Sequence, residues 1–511
     1  MKRQILLAGF LILSVSILAQ PISKSELTEL DQYYTQVAQD WNIPGFSVAI
    51  VKDGEIIFSK GYGLKEAGKK DTPDGNTLYA IASNSKAFTS ALIAMLVQEG
   101  KLDWNDKVVD YLPYFEVYDS WVSKEMTIRD ILCHRSGLGT FSGDVIWYKS
   151  DLSSKEIIER IKYLPKAYNF RSGYGYSNLM YITAGEIIKQ ITGKPWHEFV
   201  QERILDPLDM ERTVTSPHDL DSRGNYATPH ALVSGKNVPI DWVDWQEVGA
   251  LGGIISSVND IAKWMIFNMN NRIIGTDTLL TASSRNMIWT PHNNFTVNHV
   301  NPNDFGTNFS GYGLGWSISD YRGNLRINHG GGYDGMISSV NMLPDLKLGV
   351  VVLSNGLESP TNAITYYTLD KLLGKADQDW SQVYLERINN RPDEDRRITK
   401  AREARVEGTS PSLPADRYTG KYKSDIYGTI EVRKEGDKLR LYFEHAPELS
   451  ATLNHWHYDV WEIDWDNIHA WFDFGTLKFN LNSNLEITGM DFSVPNGDIF
   501  FEELKPYRIR E

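Results

Sequence analysis

Three separate stretches of this chain carry side chains whose types and spacing suit covalent catalysis. The first is YAIASNSKAFTSALIAM, Tyr79 to Met95, which sets Ser83 one helical turn before Lys86 and then runs into apolar sequence. A serine hydroxyl is a weak nucleophile at neutral pH and needs both a neighbouring base and a prepared place for the oxyanion. A helix beginning at Ser83 supplies unpaired backbone N–H groups and the positive end of its dipole. A residue one turn on lies on the same face, so the Lys86 amine comes within reach of the Ser83 oxygen. At an apolar mouth the ammonium form of lysine is disfavoured, which suits proton transfer. The same pair also fits an N-cap serine followed by a solvated first-turn lysine, so the S-x-x-K spacing alone decides nothing.

The second stretch, GYGYSNLMY, Gly173 to Tyr181, places Tyr176 and Asn178 on a loop entering a helix. The third, NHGGGYDGM, Asn328 to Met336, puts His329 at the end of a strand before Gly330, Gly331 and Gly332, where a backbone without Cβ atoms can approach a ligand closely. In this order and at these separations the three stretches resemble the motifs of the serine beta-lactamase and penicillin-binding protein superfamily. The class C branch, with the related esterases and D-amino-acid peptidases, is the nearest pattern. TIRDILCHRSGL from Thr127, GGIISSVNDIAKW from Gly252 and GYGLGW from Gly311 extend the resemblance over about residues 25 to 375.

That resemblance implies a role for each residue. Ser83 would be the acyl-forming nucleophile, Lys86 the lysine that shares its proton, and Tyr176 the base that later acts as acid toward the leaving group. Asn178 would orient substrate beside His329 and Gly331, and the N–H groups of Ser83 and Gly332 would form the oxyanion hole. No metal and no organic cofactor is implied. A phenol with an ordinary pKa near 10 is a weak base at neutral pH, so a positive field from Lys86 is expected to assist Tyr176. The chain departs from the beta-lactamases at their third motif, usually Lys-Thr-Gly, where it has His329-Gly330. The hydroxyl is missing, and imidazole carries full charge only below about 6.5. An ester or neutral amide is therefore the expected substrate; a beta-lactamase or DD-peptidase acting on carboxylate-bearing substrates is the alternative.

The surrounding elements must bring these stretches together. Leu27, Leu30, Tyr34, Val37 and Trp41 recur at helical spacing, and GFSVAIV and IIFSKGYG flank an Asp53-Gly54 turn that predicts a hairpin. LRINHGG, MISSVNML and LGVVVLSN read as three further strands, with helices predicted at Thr127 to Cys133, Ser154 to Lys162, Met180 to Ile191 and Val258 to Met269. Strands at both ends with helices between predict an α+β fold: an antiparallel sheet flanked by helices, with a helical insertion. This body is expected over residues 22–375. A charged linker or exposed helix follows over 376–412, where RINNRPDEDRRITKAREARVEG loses apolar periodicity. Alternation at Ile430, Val432, Leu439, Leu441 and Phe443 around a Gly436-Asp437 turn predicts a small antiparallel β-barrel over 413–507. It resembles the lipocalin-like barrels appended to bacterial members of the family, and either caps the cleft or only stabilises the pair of domains.

Composition removes several classes of function. Residues 1–19, MKRQILLAGFLILSVSILA, read as a secretory signal, so a periplasmic or secreted location is expected, with no stable membrane insertion after cleavage. The formal net charge of −14 opposes phosphate backbones, so nucleic acid is not an expected partner. The single cysteine, Cys133, cannot form an internal disulfide. His329 to Gly332 also resembles the oxyanion segment of lipase-type α/β hydrolases, but the chain contains no G-x-S-x-G. His455 and His457 lack a convergent partner for a metal, and Asp464 and Asp466 lack the rest of a calcium loop. The expected partner is a small-molecule or peptide substrate. A binding or sensor protein that keeps the fold without turnover is the reading of another class, and a complete Ser83, Lys86 and Tyr176 set argues against it.

Overall fold

The computed structural model describes residues 22–270, 279–392 and 395–509; the signal read at 1–19 lies outside them. Helix α1, Lys24–Asp40, starts at a capping box: Glu26 N–H donates to the Ser23 hydroxyl, and Ser23 N–H donates back to the Glu26 carboxylate. It buries Leu30, Tyr34 and Val37. The chain then forms β1, Gly45–Lys52, and β2, Glu55–Gly63, around Asp53 at φ 52° and Gly54 at φ 89°. Two positive φ values in succession are what the tight turn between twisted strands requires.

A long helix-rich insertion follows, containing α2, Ser85–Gln98, α3, Asn178–Thr192, and α4, Val258–Asn270. The chain returns to the sheet as β3, Asn293–Phe295, β4, Ser310–Tyr312, β5, Ser317–Tyr321, β6, Asn324–Tyr333, β7, Met336–Leu343, and β8, Leu348–Ser354. The result is an eight-stranded sheet in the order β2-β1-β8-β7-β6-β5-β4-β3, closed over on one side by α5, Thr361–Leu372. Neighbouring strands within it pair antiparallel. Alternation along β1 divides the two cores. Val48 and Ile50 pack in the layer of α1 and α5, and Ala49 and Val51 in the layer of α2 and α4.

Within the charged 376–412 stretch the structure places two helices, and the first is no free tether. Trp380–Asn389 seats Trp380, fully buried, against the body, where its indole N–H donates to Asp370 at 2.9 Å. Arg396–Glu403 instead lays Ile398 against Trp456 and Phe474 of the next domain. Each helix buries so few side chains that charge dominates its sequence. The final domain is a closed barrel of eight strands, from Gly420–Ser424 round to Tyr507–Arg508, and the alternating Ile430, Val432, Leu439, Leu441 and Phe443 fill its interior. Among the described residues no helix is long and apolar enough to cross a membrane.

Candidate active site

Ser83 sits on a sharp bend. The short strand Tyr79–Ala80 passes into a 3-10 turn, Ala82–Asn84, which runs directly into α2. Ala82 takes φ 47°, a left-handed conformation that costs an L-residue about 1–2 kcal/mol. The bend is held from both sides: Ile81 N–H donates to the Ile254 carbonyl at 3.0 Å, and the Ser338 hydroxyl donates to the Ile81 carbonyl at 2.7 Å. Gly331 lets β6 reach this turn, because a Cβ there would lie 2.2 Å from the Ile81 oxygen. Gly331 is thus explained first by a close backbone approach.

Lys86 is fully buried, and its Nζ lies 3.0 Å from the Ser83 hydroxyl oxygen, 2.7 Å from Asn178 Oδ1 and 2.7 Å from the Leu251 carbonyl. Burial pulls its pKa down to about 7, against the opposing field of Asp144. A neutral amine has two N–H donors and one lone pair. Asn178 Oδ1 and the Leu251 carbonyl can only accept, so in the neutral form of the amine they take both N–H bonds and the lone pair is left for the Ser83 hydroxyl. The other end of the Asn178 amide donates to Asp144 at 2.6 Å, and the Trp147 indole donates to the same carboxyl at 2.9 Å. Burial pushes Asp144 up to about 8 despite those bonds and the Lys86 charge. Burial therefore drives amine and carboxyl alike toward their uncharged forms. The Asn178 amide is committed at both ends, which makes it a holder of Lys86 in this structure.

Tyr176 opens onto the cleft above the amine, with Lys86 Nζ 4.9 Å from its ring centre. Burial pushes its phenol well above 10, and only the Ser83 hydroxyl pulls it down. Burial also draws the amine toward its neutral form, with a pKa of about 7, so the positive field expected from Lys86 is present only while the amine keeps its proton. A phenol so placed keeps its proton and can give it up to a departing group. The loop under Tyr176 is built by the TIRDILCHRSGL stretch. His134 Nδ1 accepts from Ser177 N–H at 3.0 Å, its carbonyl accepts from Gly175 N–H at 3.0 Å, and its ring lies 4.3 Å from that of Tyr176. Asp130, fully buried, caps its own short helix through Thr127 and pairs with Arg135 at 2.5 Å and Arg171 at 2.7 Å. Asp130→Ala removes a cap and both charge-assisted pairs, so thermal unfolding is expected to show a loss of about 3 kcal/mol, with activity falling as the loop loosens.

His329 is buried and neutral. Its Nδ1 lies 2.6 Å from the Gly330 carbonyl, so Nδ1 carries the proton, and Nε2 accepts from the Tyr312 hydroxyl at 2.8 Å. Burial, reinforced by Lys86, brings its pKa down to about 4. The Asp334-Gly335 turn makes Tyr333 and Met336 a hydrogen-bonded pair, and antiparallel alternation then leaves the N–H groups of Gly330 and Gly332 on the opposite edge of β6. β5 pairs with β6 only as far as Asn328, so that edge is vacated where it meets Ser83. Ser83, Tyr176, Asn178, His329, Gly331 and Gly332 all line one cleft. The remaining candidates lie apart: His455 and His457 are spent on backbone partners, Tyr458 and Val406, in the barrel.

Sequence reasoning passes over Asp144, His134 and the barrel residues Trp471, Asp498 and Ile499; of these, Asp144 and the three barrel residues face the cleft directly. A single aspartate inside GDVIWY could have flagged Asp144 as a buried charge, whereas no local pattern marks the barrel residues.

A protein-family model described as Beta-lactamase matches residues 30–375, and one described as a domain of unknown function, DUF3471, matches residues 404–506. The chain is 31% identical to the unguisins hydrolase ungD′ of Aspergillus campestris over 82% of this chain and 81% of that one. It is 26% identical to Protein flp of Staphylococcus aureus over 64% of this chain and 62% of the other. The octameric penicillin-binding protein homologue from Pyrococcus abyssi superposes at a TM-score of 0.62 over 92% of this chain and 98% of that one, at 21% identity. A D-stereospecific amidohydrolase from Streptomyces sp. superposes at 0.54 over 68% and 98%, also at 21% identity. The residues of the Beta-lactamase match contain the whole eight-stranded sheet and every catalytic candidate, and the chain belongs to the beta-lactamase family as a hydrolase carrying an additional C-terminal β-barrel.

Proposed function

We propose that the protein hydrolyses an ester or amide through an acyl-enzyme on Ser83. The observation that carries this reading is the placement of the Lys86 amine 3.0 Å from the Ser83 oxygen, with its two other contacts made to oxygens that can only accept, so that the neutral amine has its lone pair left for the Ser83 proton. As the Ser83 oxygen bonds to the substrate carbonyl carbon, its proton passes to Lys86 and the carbonyl π electrons move onto oxygen. The N–H groups of Ser83 and Gly332 hold that oxyanion. When the tetrahedral species collapses, the bond to the leaving group breaks, and the Tyr176 phenol donates the proton the departing atom needs. The Lys86 ammonium returns a proton to Tyr176. Water then attacks the acyl carbon, gives its proton to Lys86, and releases the acid while Ser83 recovers its hydrogen.

The cleft argues for substrates without a carboxylate at the reacting end. Among the described residues no arginine or lysine lines it, His329 is neutral, and two carboxyl groups, Asp144 and Asp498, face it. A relative named an unguisins hydrolase and a structural neighbour named a D-stereospecific amidohydrolase are in keeping with acyl transfer to water. Export through the Met1 to Ala19 segment belongs to the same proposal. The test is a panel of short nitrophenyl esters, D-aminoacyl anilides and a chromogenic cephalosporin. A higher kcat/KM on an ester or anilide is expected; a higher value on the cephalosporin overturns the substrate reading.

A further inference from the structure

One wall of the cleft is not made by the catalytic body. Trp471, Asp498 and Ile499 of the barrel line a cavity of about 260 Å³ together with Ser83, Phe141, Trp147 and Trp245 of the body. The barrel is fixed there by specific bonds. Glu503 accepts from the Ser142 hydroxyl at 2.6 Å and from Gly143 N–H at 2.7 Å, one residue before Asp144, and His445 meets Asp151 at 2.8 Å.

The loop that presents Asp498 is held by a buried side chain, Asn496. Its Oδ1 accepts from Asp498 N–H at 2.9 Å and Ile499 N–H at 2.6 Å, and its Nδ2 donates to the carbonyls of Val494 at 2.8 Å and Ile499 at 2.7 Å. The two carboxyl groups of the cleft differ in what they meet. Asp144 is occupied by Trp147 and Asn178. The Asp498 carboxylate meets no hydrogen-bond donor or cation among the described residues, and burial alone raises its pKa. A half-buried carboxylate among aromatic rings is costly unless a cation joins it, and ring faces add their own attraction for that cation.

We propose that Asp498 is a specificity-determining residue that binds an ammonium group of the substrate, so that the preferred substrates are aminoacyl esters or amides with a free amino group. This rests on the hydrolase reading at Ser83 and narrows it. The barrel then acts as part of the substrate site, since a chain ending before Pro495 would retain Ser83, Lys86 and Tyr176 but lose the recognising carboxylate.

The test compares alanine methyl ester, in both enantiomers, with its N-acetyl and N-succinyl forms, which present a cation, no charge and an anion at one position. The wild-type protein is expected to favour the free amine over the N-acetyl ester by about tenfold in kcat/KM for at least one enantiomer, with the succinyl ester poorest. Asp498→Asn is expected to bring the ratio of free amine to N-acetyl close to one, and Asp498→Glu to restore most of it. A wild-type preference for the acetyl or succinyl ester in both enantiomers overturns the proposal without need of a variant, as does an unchanged ratio in Asp498→Asn. Turnover of 4-nitrophenyl acetate with labelling at Ser83 separates the two readings. If both are present and the ammonium preference is absent, only the assignment of Asp498 fails; if Ser83 neither labels nor turns over ester, both fail.

Discussion

Ser83→Ala is expected to lower kcat for a short nitrophenyl ester by roughly 10⁴-fold or more, with little change in thermal stability. The size follows from the absence of a substitute. The neighbouring Ser85 hydroxyl accepts from Ile254 N–H at 3.1 Å inside the fold, and the Tyr176 phenol is held protonated by burial. What survives in the variant is the oxyanion site and the cleft, which can still polarise a carbonyl for attack by water. Stability is spared because Ser83 is partly exposed to the cleft and its bend is held by Ile254 and Ser338 through backbone atoms of Ile81. Steady-state kinetics and a melting curve on the same preparation check both halves of this expectation.

Lys86→Met is expected to lower kcat/KM by about 10³-fold, within the range for loss of a positioned general base. It should also change the shape of the pH profile. In the wild-type protein the working form is the neutral amine, and burial places its pKa at about 7. Acidification through that value protonates Lys86 and removes the lone pair, so the rate falls on the acid side and rises to a plateau above it. The methionine variant has no such group and should lose that limb. It also leaves Asn178 Oδ1 and the Leu251 carbonyl without their donor, which costs about 1–3 kcal/mol for each buried acceptor. A melting curve therefore accompanies the kinetics, so that lost catalysis is separated from lost folding.

Much of this architecture is legible in the sequence because local rules and tertiary structure agree. The Asp53-Gly54 turn, the apolar spacing along α1 and the alternation from Ile430 to Phe443 each report a periodicity that the fold uses directly. The 376–412 stretch is harder to read, since Trp380 and Ile398 anchor its two helices while charge fills the remaining positions. Within the site, Ser83, Lys86, Tyr176 and His329 are visible as motifs. Their electrostatics are not, because the neutral state of Lys86 and His329 comes from burial by segments distant in sequence. Asp144 is tied to Lys86 by hydrogen bonds that pass through Asn178, and Asp498 reaches the cleft because the barrel docks through Glu503 and His445. Such contacts belong to tertiary structure and leave no spacing to read.

The most direct measurement is peptide mapping by mass spectrometry after brief exposure to a fluorophosphonate, alongside ester turnover on the same sample. A single adduct is expected on the peptide containing Ser83, formed in proportion to the loss of activity and absent from Ser83→Ala. An adduct on another residue, or full ester turnover in protein whose Ser83 remains unmodified, would contradict it.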